Sequence, residues 1–272
     1  MDEALKRAAG WLREADGLLI TAGAGMGIDS GLPDFRGPGG FWQVYPALGR
    51  ARLQFEEIAN PAAFERDPRL AWGFYGHRLQ LYRNTQPHAG FKWLRELAQN
   101  LPQGAQVFTS NVDGHFQKAG FPVDRVCEVH GSIHHLQCLD GCREAIWLAD
   151  DFTPEIDAET CRLRNEPPHC PHCGRLARPN ILMFGDWNWL ESRTALQFER
   201  LNEWLLHVKQ PVCIEIGAGT GIPTVRRFSE RHGTRLIRIN PLEAEVPDGE
   251  RGVSLPLGGL AGLNALAAAL KR

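Results

Sequence analysis

Leu18-Leu19-Ile20-Thr21-Ala22, an apolar run of strand length, ends directly on Gly23-Ala24-Gly25-Met26-Gly27. A strand that empties into alternating glycines constrains the fold more than any other segment. Glycine lets the backbone turn sharply and approach a phosphate with no β-carbon in the way. By itself such a turn is a weak dinucleotide-binding signal. Here it continues as Ile28-Asp29-Ser30-Gly31-Leu32-Pro33-Asp34-Phe35-Arg36-Gly37, a further glycine and a proline followed by an acid, an aromatic and a base. That order suits a loop closing over the far end of the same ligand.

The rest of the chain supplies the frame for this turn. Ala4, Leu5, Ala8, Ala9, Trp11 and Leu12 recur at helical spacing ahead of the strand. Residues 55–98 read as helical, with breaks at Pro61, Pro68 and Pro87 and starts at Asn60-Pro61 and Asp67-Pro68. Further strands are predicted over 106–109, 211–216 and 235–239, with glycines after the second of these. The alternation implies an α/β fold with a parallel sheet, whose ligands bind at the carboxyl ends of its strands. Residues 138–178 are rich in Pro, Cys, His and Arg and poor in aliphatics, and read as a small separate module. A chain of 272 residues can hold one large domain or one domain with an insert.

Lys and Arg number 30 against 32 Asp and Glu, so a net charge of -2 gives no electrostatic case for nucleic acid or an anionic membrane. The apolar runs fall short of a bilayer span and the N-terminus is not that of a secretion signal, so a soluble cytoplasmic protein is expected. Five of the seven cysteines lie between 138 and 173, with Cys127 just before them. Such clustering fits a metal site in a reducing compartment better than a disulfide framework. Cys170-Pro171-His172-Cys173-Gly174 has the spacing of a zinc knuckle, and Cys138-Leu139-Asp140-Gly141-Cys142 offers a second pair. Four thiolates make a closed tetrahedral site, which predicts a structural zinc with no position open to substrate. Cys161, His169 and His172 could each replace a ligand, though the paired spacing favours the four; Cys127 and Cys213 read as free buried thiols.

Thr109-Ser110-Asn111-Val112-Asp113-Gly114-His115 directly follows a predicted strand. An amide and a carboxylate two residues apart at a strand end can point into one cleft, where they suit a carboxamide and ribose hydroxyls. Val129-His130-Gly131-Ser132 places a histidine before a glycine turn, and imidazole is the side chain most easily tuned to accept a proton near neutrality. Taken singly, an Asn-x-Asp-Gly is also an ordinary turn, and a histidine is also an ordinary structural residue.

Taken together and in this order, the segments resemble the sirtuin family of NAD-dependent protein deacylases from about residue 15 onward. The matching segments are Gly23-Ala24-Gly25 through Gly37, Thr109-x-Asn111-x-Asp113-Gly114, His130-Gly131, the two cysteine pairs, Arg178-Pro179-Asn180-Ile181-Leu182-Met183-Phe184-Gly185-Asp186 and Ile239-Asn240. The resemblance implies a Rossmann-type NAD-binding domain (1–54, 100–132 and 185–272). It also implies a smaller domain made of a helical insert (55–99) and a zinc-binding module (133–184). NAD and an acyl-lysine peptide would meet between them, and the acyl oxygen would attack the ribose carbon as nicotinamide leaves. His130 would be the base, Asn111 would orient the sugar, and the products would be free lysine and O-acyl-ADP-ribose. Asp113 would hold the carboxamide, Phe35 would shield the reactive carbon, and Asp34, Phe35 and Arg36 would form a lid. Gly23, Ala24 and Gly25 would face the pyrophosphate, Gly217, Ala218, Gly219 and Asn240 the adenosine side, and Ser110 a ribose. Met183, Phe184 and Gly185 resemble the strand that pairs with substrate backbone by β-addition.

Tyr75 and Arg78 are three apart in a predicted helix, hence on one face. The same Tyr-x-x-Arg spacing, and a segment like Gly39-Gly40-Phe41-Trp42, occur in sirtuins that prefer succinyl, malonyl or glutaryl lysine. A guanidinium binds a distal carboxylate in bidentate fashion. A surface arginine beside a core tyrosine would have the same spacing. Four positions depart from the family pattern: Ser110 stands for a glutamine, Gly27 for a serine, Gly217-Ala218-Gly219 for Gly-Thr-Ser, and Pro87-His88-Ala89-Gly90-Phe91 for Pro-Asn-x-x-His. Protein ADP-ribosyl transfer and a non-catalytic NAD-binding module are the competing functions. Oligomeric state is not legible.

Overall fold

In chain order the strands are β1 (Gly17–Ala22), β2 (Ala105–Thr109), β3 (Val126–Glu128), β4 (Gly131–Cys138), β5 (Ile146–Leu148), β6 (Ile156–Asp157), β7 (Arg162–Leu163), β8 (Ala177–Ile181), β9 (Pro211–Ile216), β10 (Leu236–Ile239) and β11 (Gly252–Leu255). The computed structural model describes residues 1–33 and 38–272. Asp34, Phe35 and Arg36, expected to form a lid, lie outside the described residues.

Six strands form one parallel sheet in the order β11-β10-β9-β1-β2-β3. The chain steps outward from β1 through β2 to β3, then returns to the other side of β1 and steps outward again. The reversal falls between β1 and β9, and an open α/β sheet binds its ligands at the carboxyl ends of its strands beside such a point. β1 is buried at every residue because helices cover both faces. Leu18, Ile20 and Ala22 face the cluster with Ala8, Leu12, Phe91 and Leu94, while Leu19 packs with Phe108, Cys213 and Trp204 on the other side. Between β9 and β10, Glu215 and Arg238 stand opposite each other in register, both side chains 1% exposed, joined by bonds of 2.5 and 3.0 Å. Arg238 also reaches Glu230 at 2.8 Å, so the buried charge is compensated on two sides.

β4, β5 and β8 form a separate antiparallel sheet that carries the cysteine pairs. A second apolar cluster joins this sheet to the helices 61–66 and 68–84 through Phe64, Trp72, Tyr75, Ile133 and Leu136. Phe41, Tyr45 and Leu48, which sequence had grouped with the sheet domain, belong to this second cluster. The helix Ala89–Gln99, grouped with the insert, instead buries Phe91 and Leu94 in the core of the parallel sheet. His88 accounts for that docking: its Nδ1 accepts from Gly90 N at 3.0 Å as an N-cap, which makes Nε2 the donor to Met26 O at 3.0 Å. No described helix is long and apolar enough to cross a membrane.

Candidate active site

The loop leaving β1 is stitched to the loop leaving β9. Gly23 N donates to Ile216 O and Gly25 N to Gly217 O, each at 3.0 Å. A β-carbon on Gly23 would lie 2.6 Å from Gly217 O, and one on Gly25 would lie 2.6 Å from Gly217 Cα. Gly217 sits at φ +61°, a conformation that favours glycine. The small residues at 23 and 25 are therefore demanded by two loops packing backbone on backbone. That is a different physical reason from the close phosphate approach expected from sequence. Gly23 and the buried Ala218 are packed in this contact and do not line the cavity. Ala24, Gly25, Gly217, Gly219 and Asn240 instead line a cavity of about 650 Å³ with Thr220 and Glu243. Asn240 Nδ2 donates to Ala218 O at 3.0 Å while its Oδ1 accepts from Leu242 N and Glu243 N, which turns the chain at the end of β10. Thr220 donates from N (3.0 Å) and Oγ1 (2.5 Å) to the Glu243 carboxylate, fixing the opposite wall.

A second cavity, of about 290 Å³, is lined by Ser110, Asn111, Asp113, His130, Tyr75, Arg78, Met183 and Phe184. Ala24, Phe55, Phe184 and Ile222 line both cavities, so the two adjoin. Asn111 follows β2 and is held from two sides: Thr109 Oγ1 accepts from its N at 3.1 Å, and its Nδ2 donates to Gly23 O at 2.9 Å. That bond ties the Asn-Val-Asp-Gly turn to the glycine loop. Asp113 Oδ1 accepts from His115 N at 2.9 Å, and burial raises the carboxyl above its usual pKa. His130 is half-buried in the connection between β3 and β4, where Leu182 N donates to its carbonyl at 3.0 Å.

Tyr75 and Arg78 project from one face of the helix Pro68–Asn84, as their spacing predicts, and both are buried. The guanidinium carbon lies 5.3 Å from the Phe74 ring, 5.8 Å from Tyr75 and 5.5 Å from Tyr82. Burial pushes the Tyr75 hydroxyl up to about 12, so it stays protonated, and Arg78 stays charged. Tyr82, Phe55, Ala59, Leu32 and Val112 also line this cavity and were missed from sequence. The available signal was helical spacing: Tyr82 stands one turn beyond Arg78.

The segment Met183-Phe184-Gly185 requires a correction. β8 ends at Ile181, and the three residues form the turn after it, with Gly185 at φ +64°. Leu182 N, Met183 N and Phe184 N are engaged by His130 O (3.0 Å), Asp186 Oδ2 (3.3 Å) and Ala59 O (2.9 Å). The turn is fixed by the pair Arg178–Asp186, at 2.6 and 2.8 Å with both side chains 0% exposed. Met183 and Phe184 line the cavity, whereas Gly185 only turns the chain away from it.

The four sulfurs of Cys138, Cys142, Cys170 and Cys173 lie within 4.8 Å of one another. Cys138–Cys173 and Cys142–Cys170 are 3.7 and 3.6 Å apart. Zinc–thiolate bonds of ~2.3 Å at tetrahedral angles put sulfurs ~3.8 Å apart, so the donor set fits structural zinc. Cys127, Cys161 and Cys213 stand apart from it, their thiols raised to about 12 by burial.

A sequence profile of the Sir2 family matches residues 23–208, a span that holds the glycine loop, the Asn-x-Asp turn, His130 and all four cysteines. The chain belongs to the Sir2 family. Among its relatives, a Pyrobaculum aerophilum protein named NAD-dependent protein deacylase 2 is 34% identical over 82% of this chain and 78% of its own length. A Thermus thermophilus NAD-dependent protein deacylase is 32% identical over 89% and 84%. The Danio rerio NAD-dependent protein deacylase sirtuin-5 is 29% identical over 85% and 75%. A solved Sir2 homologue in complex with NAD superposes with TM-score 0.72 at 26% identity, covering 100% of this chain and 94% of that one. An ADP-ribose complex of a Sir2 homologue mutant does so with TM-score 0.72 at 25% identity, covering 97% and 96%. Within this Sir2 chain the fold, the α/β sheet and the zinc-type cysteine cluster follow the expectation from sequence.

Proposed function

We propose that this Sir2 protein is an NAD-dependent protein-lysine deacylase acting on acyl-lysine peptides, with a preference for acyl groups that end in a carboxylate. The observation that carries the reading is that two cavities adjoin at Ala24, one at the β1/β9 reversal and one holding His130, Asn111 and Asp113. The larger cavity suits an extended dinucleotide. Its Ala24-Gly25 side suits the pyrophosphate and its Gly217, Gly219 and Asn240 side the adenosine, while Ser110, on the adjoining cavity, suits the second ribose. Bound there, NAD would supply an electrophilic ribose carbon to the neighbouring cavity.

The protein's own residues have separable tasks. Asn111, pinned to Gly23 O, orients the sugar without moving during the reaction. Asp113 accepts from the carboxamide on an oxygen already in a buried hydrogen-bonded turn. His130, half-buried in the cavity wall, takes the proton of a ribose hydroxyl as the general base. Phe184 and Met183 cover the lysine stem and exclude water. Since the amides of 182–184 are engaged within the chain, backbone pairing with a peptide there runs through carbonyl oxygens. The four cysteines hold zinc as a structural staple of the small sheet.

Arg78 gives the acyl preference, because its buried charge shares the cavity with His130. The test is a set of acetyl-, succinyl- and malonyl-lysine peptides of one sequence, incubated with NAD and scored by mass spectrometry. Arg78→Met should lower the succinyl-to-acetyl ratio of kcat/KM by about 30-fold, as expected for a lost charge-assisted pair. An unchanged ratio sinks the preference, and label transferred to protein in place of O-acyl-ADP-ribose sinks deacylation.

A further inference from the structure

We infer that Tyr82 is a positioning residue for Arg78, fixing the guanidinium so that a carboxylate-ended acyl group meets it already oriented. This rests on the acidic-acyl reading above and extends it to a residue outside the Tyr-x-x-Arg pair.

Tyr82 is four residues beyond Arg78 and seven beyond Tyr75 on one helix, so the three side chains share a face. The Tyr82 hydroxyl oxygen accepts from Arg78 Nε at 3.1 Å and from Nη2 at 2.8 Å. One oxygen taking two donors from one edge sets both the place and the plane of a guanidinium. Arginine otherwise brings a long, rotamer-rich side chain to a ligand and loses that freedom on binding. Both partners are buried, with Arg78 8% and Tyr82 4% exposed, and both line the cavity that holds His130. Tyr82 thus holds the guanidinium by its Nε–Nη2 edge. The Phe74, Tyr75 and Tyr82 rings around the guanidinium carbon supply the remaining walls. A hydroxyl is the suitable anchor because it orients without neutralising. A carboxylate at position 82 would pair with Arg78 and compete with the acyl group.

Tyr82→Phe isolates this role, since it keeps the ring and removes only the oxygen. Succinyl-lysine and acetyl-lysine peptides of one sequence are assayed at saturating NAD with wild type, Tyr82→Phe and Arg78→Met. The expected result for Tyr82→Phe is a rise of about tenfold in KM for the succinyl peptide, the usual scale for one hydrogen bond to a charged group. Its kcat on that peptide should move less than twofold, a split that general loss of structure would not give. Arg78→Met tests the underlying reading separately. If it lowers the succinyl-to-acetyl ratio while Tyr82→Phe leaves succinyl KM within twofold, the acidic-acyl reading stands and the role of Tyr82 is overturned. If Arg78→Met leaves the ratio unchanged, both fall together. A succinyl KM that drops in Tyr82→Phe would make Tyr82 a competitor for the guanidinium, which also overturns the inference.

Discussion

His115→Leu should make the protein more stable, and more so in acid than at neutral pH. The imidazole is 0% exposed, and neither ring nitrogen has a hydrogen-bond partner among the described residues. It packs edge-on to Phe91 at 5.9 Å between centroids. Burial, helped by the charges of Lys118, His134 and His88, lowers its pKa from 6.5 to about 4. The unfolded chain therefore takes up a proton between pH 6.5 and 4 that the native state refuses. Stability is full above 6.5, falls as pH drops toward 4, and changes no further below that on account of this group. At pH 5.0 linkage makes the loss at most about 2 kcal/mol, the logarithm of the two binding polynomials for those pKa values. Removing an unsatisfied buried polar ring adds about 1 kcal/mol at any pH. Urea unfolding at pH 7.5 and 5.0 reads both terms: the variant should gain about 1 kcal/mol at the higher pH and about 3 kcal/mol at the lower. Equal losses between the two pH values in wild type and variant would refute a buried neutral imidazole. The effect also bears on the site, since His115 N holds Asp113 Oδ1.

Asp186→Ala should cost about 3–5 kcal/mol in urea unfolding, because it strands the Arg178 guanidinium at 0% exposure. It should also raise peptide KM through the loosened turn at Met183; a cost below about 1 kcal/mol would contradict a tight buried pair. The purified protein should carry one zinc per chain by elemental analysis, and Cys170→Ser should lose it and lower Tm. After chelation, alkylation of the native protein should label the exposed Cys173 and half-buried Cys142 while the buried Cys127, Cys161 and Cys213 stay unmodified. Labelling of those three at the same rate would argue that the cysteine pairs are not a distinct site.

What could be read from the sequence was what depends on local spacing. The zinc cluster follows from two short cysteine gaps, and the four sulfurs meet because β4 ends at Cys138 opposite Ala177, where β8 begins, which brings both pairs to one end of the ladder. The central strands were legible because their apolar runs are continuous. β3 and β11 were not, since three or four residues beside polar turns carry too little pattern to separate from loop. The helix Ala89–Gln99 was placed with the insert because nothing local records that His88 ties it to Met26. The reasons for glycine at 23 and 25 were also non-local, residing in a loop nearly two hundred residues away whose backbone would lie 2.6 Å from an added β-carbon. Tyr82 was overlooked for a similar reason. A tyrosine one turn from an arginine looks like any core aromatic until its oxygen is seen accepting from Nε and Nη2 of the guanidinium.

The central claim is that His130 and the adjoining cavities perform NAD-dependent removal of an acyl group from lysine. Its most direct test is a single-turnover reaction of an acyl-lysine peptide with NAD, following free peptide, nicotinamide and O-acyl-ADP-ribose together. Wild type should release the three in equal amounts. His130→Ala should lower the rate of O-acyl-ADP-ribose formation by about a hundredfold or more, the usual scale of general-base catalysis. Free lysine peptide formed without nicotinamide release, or a His130→Ala rate equal to wild type, would contradict the account.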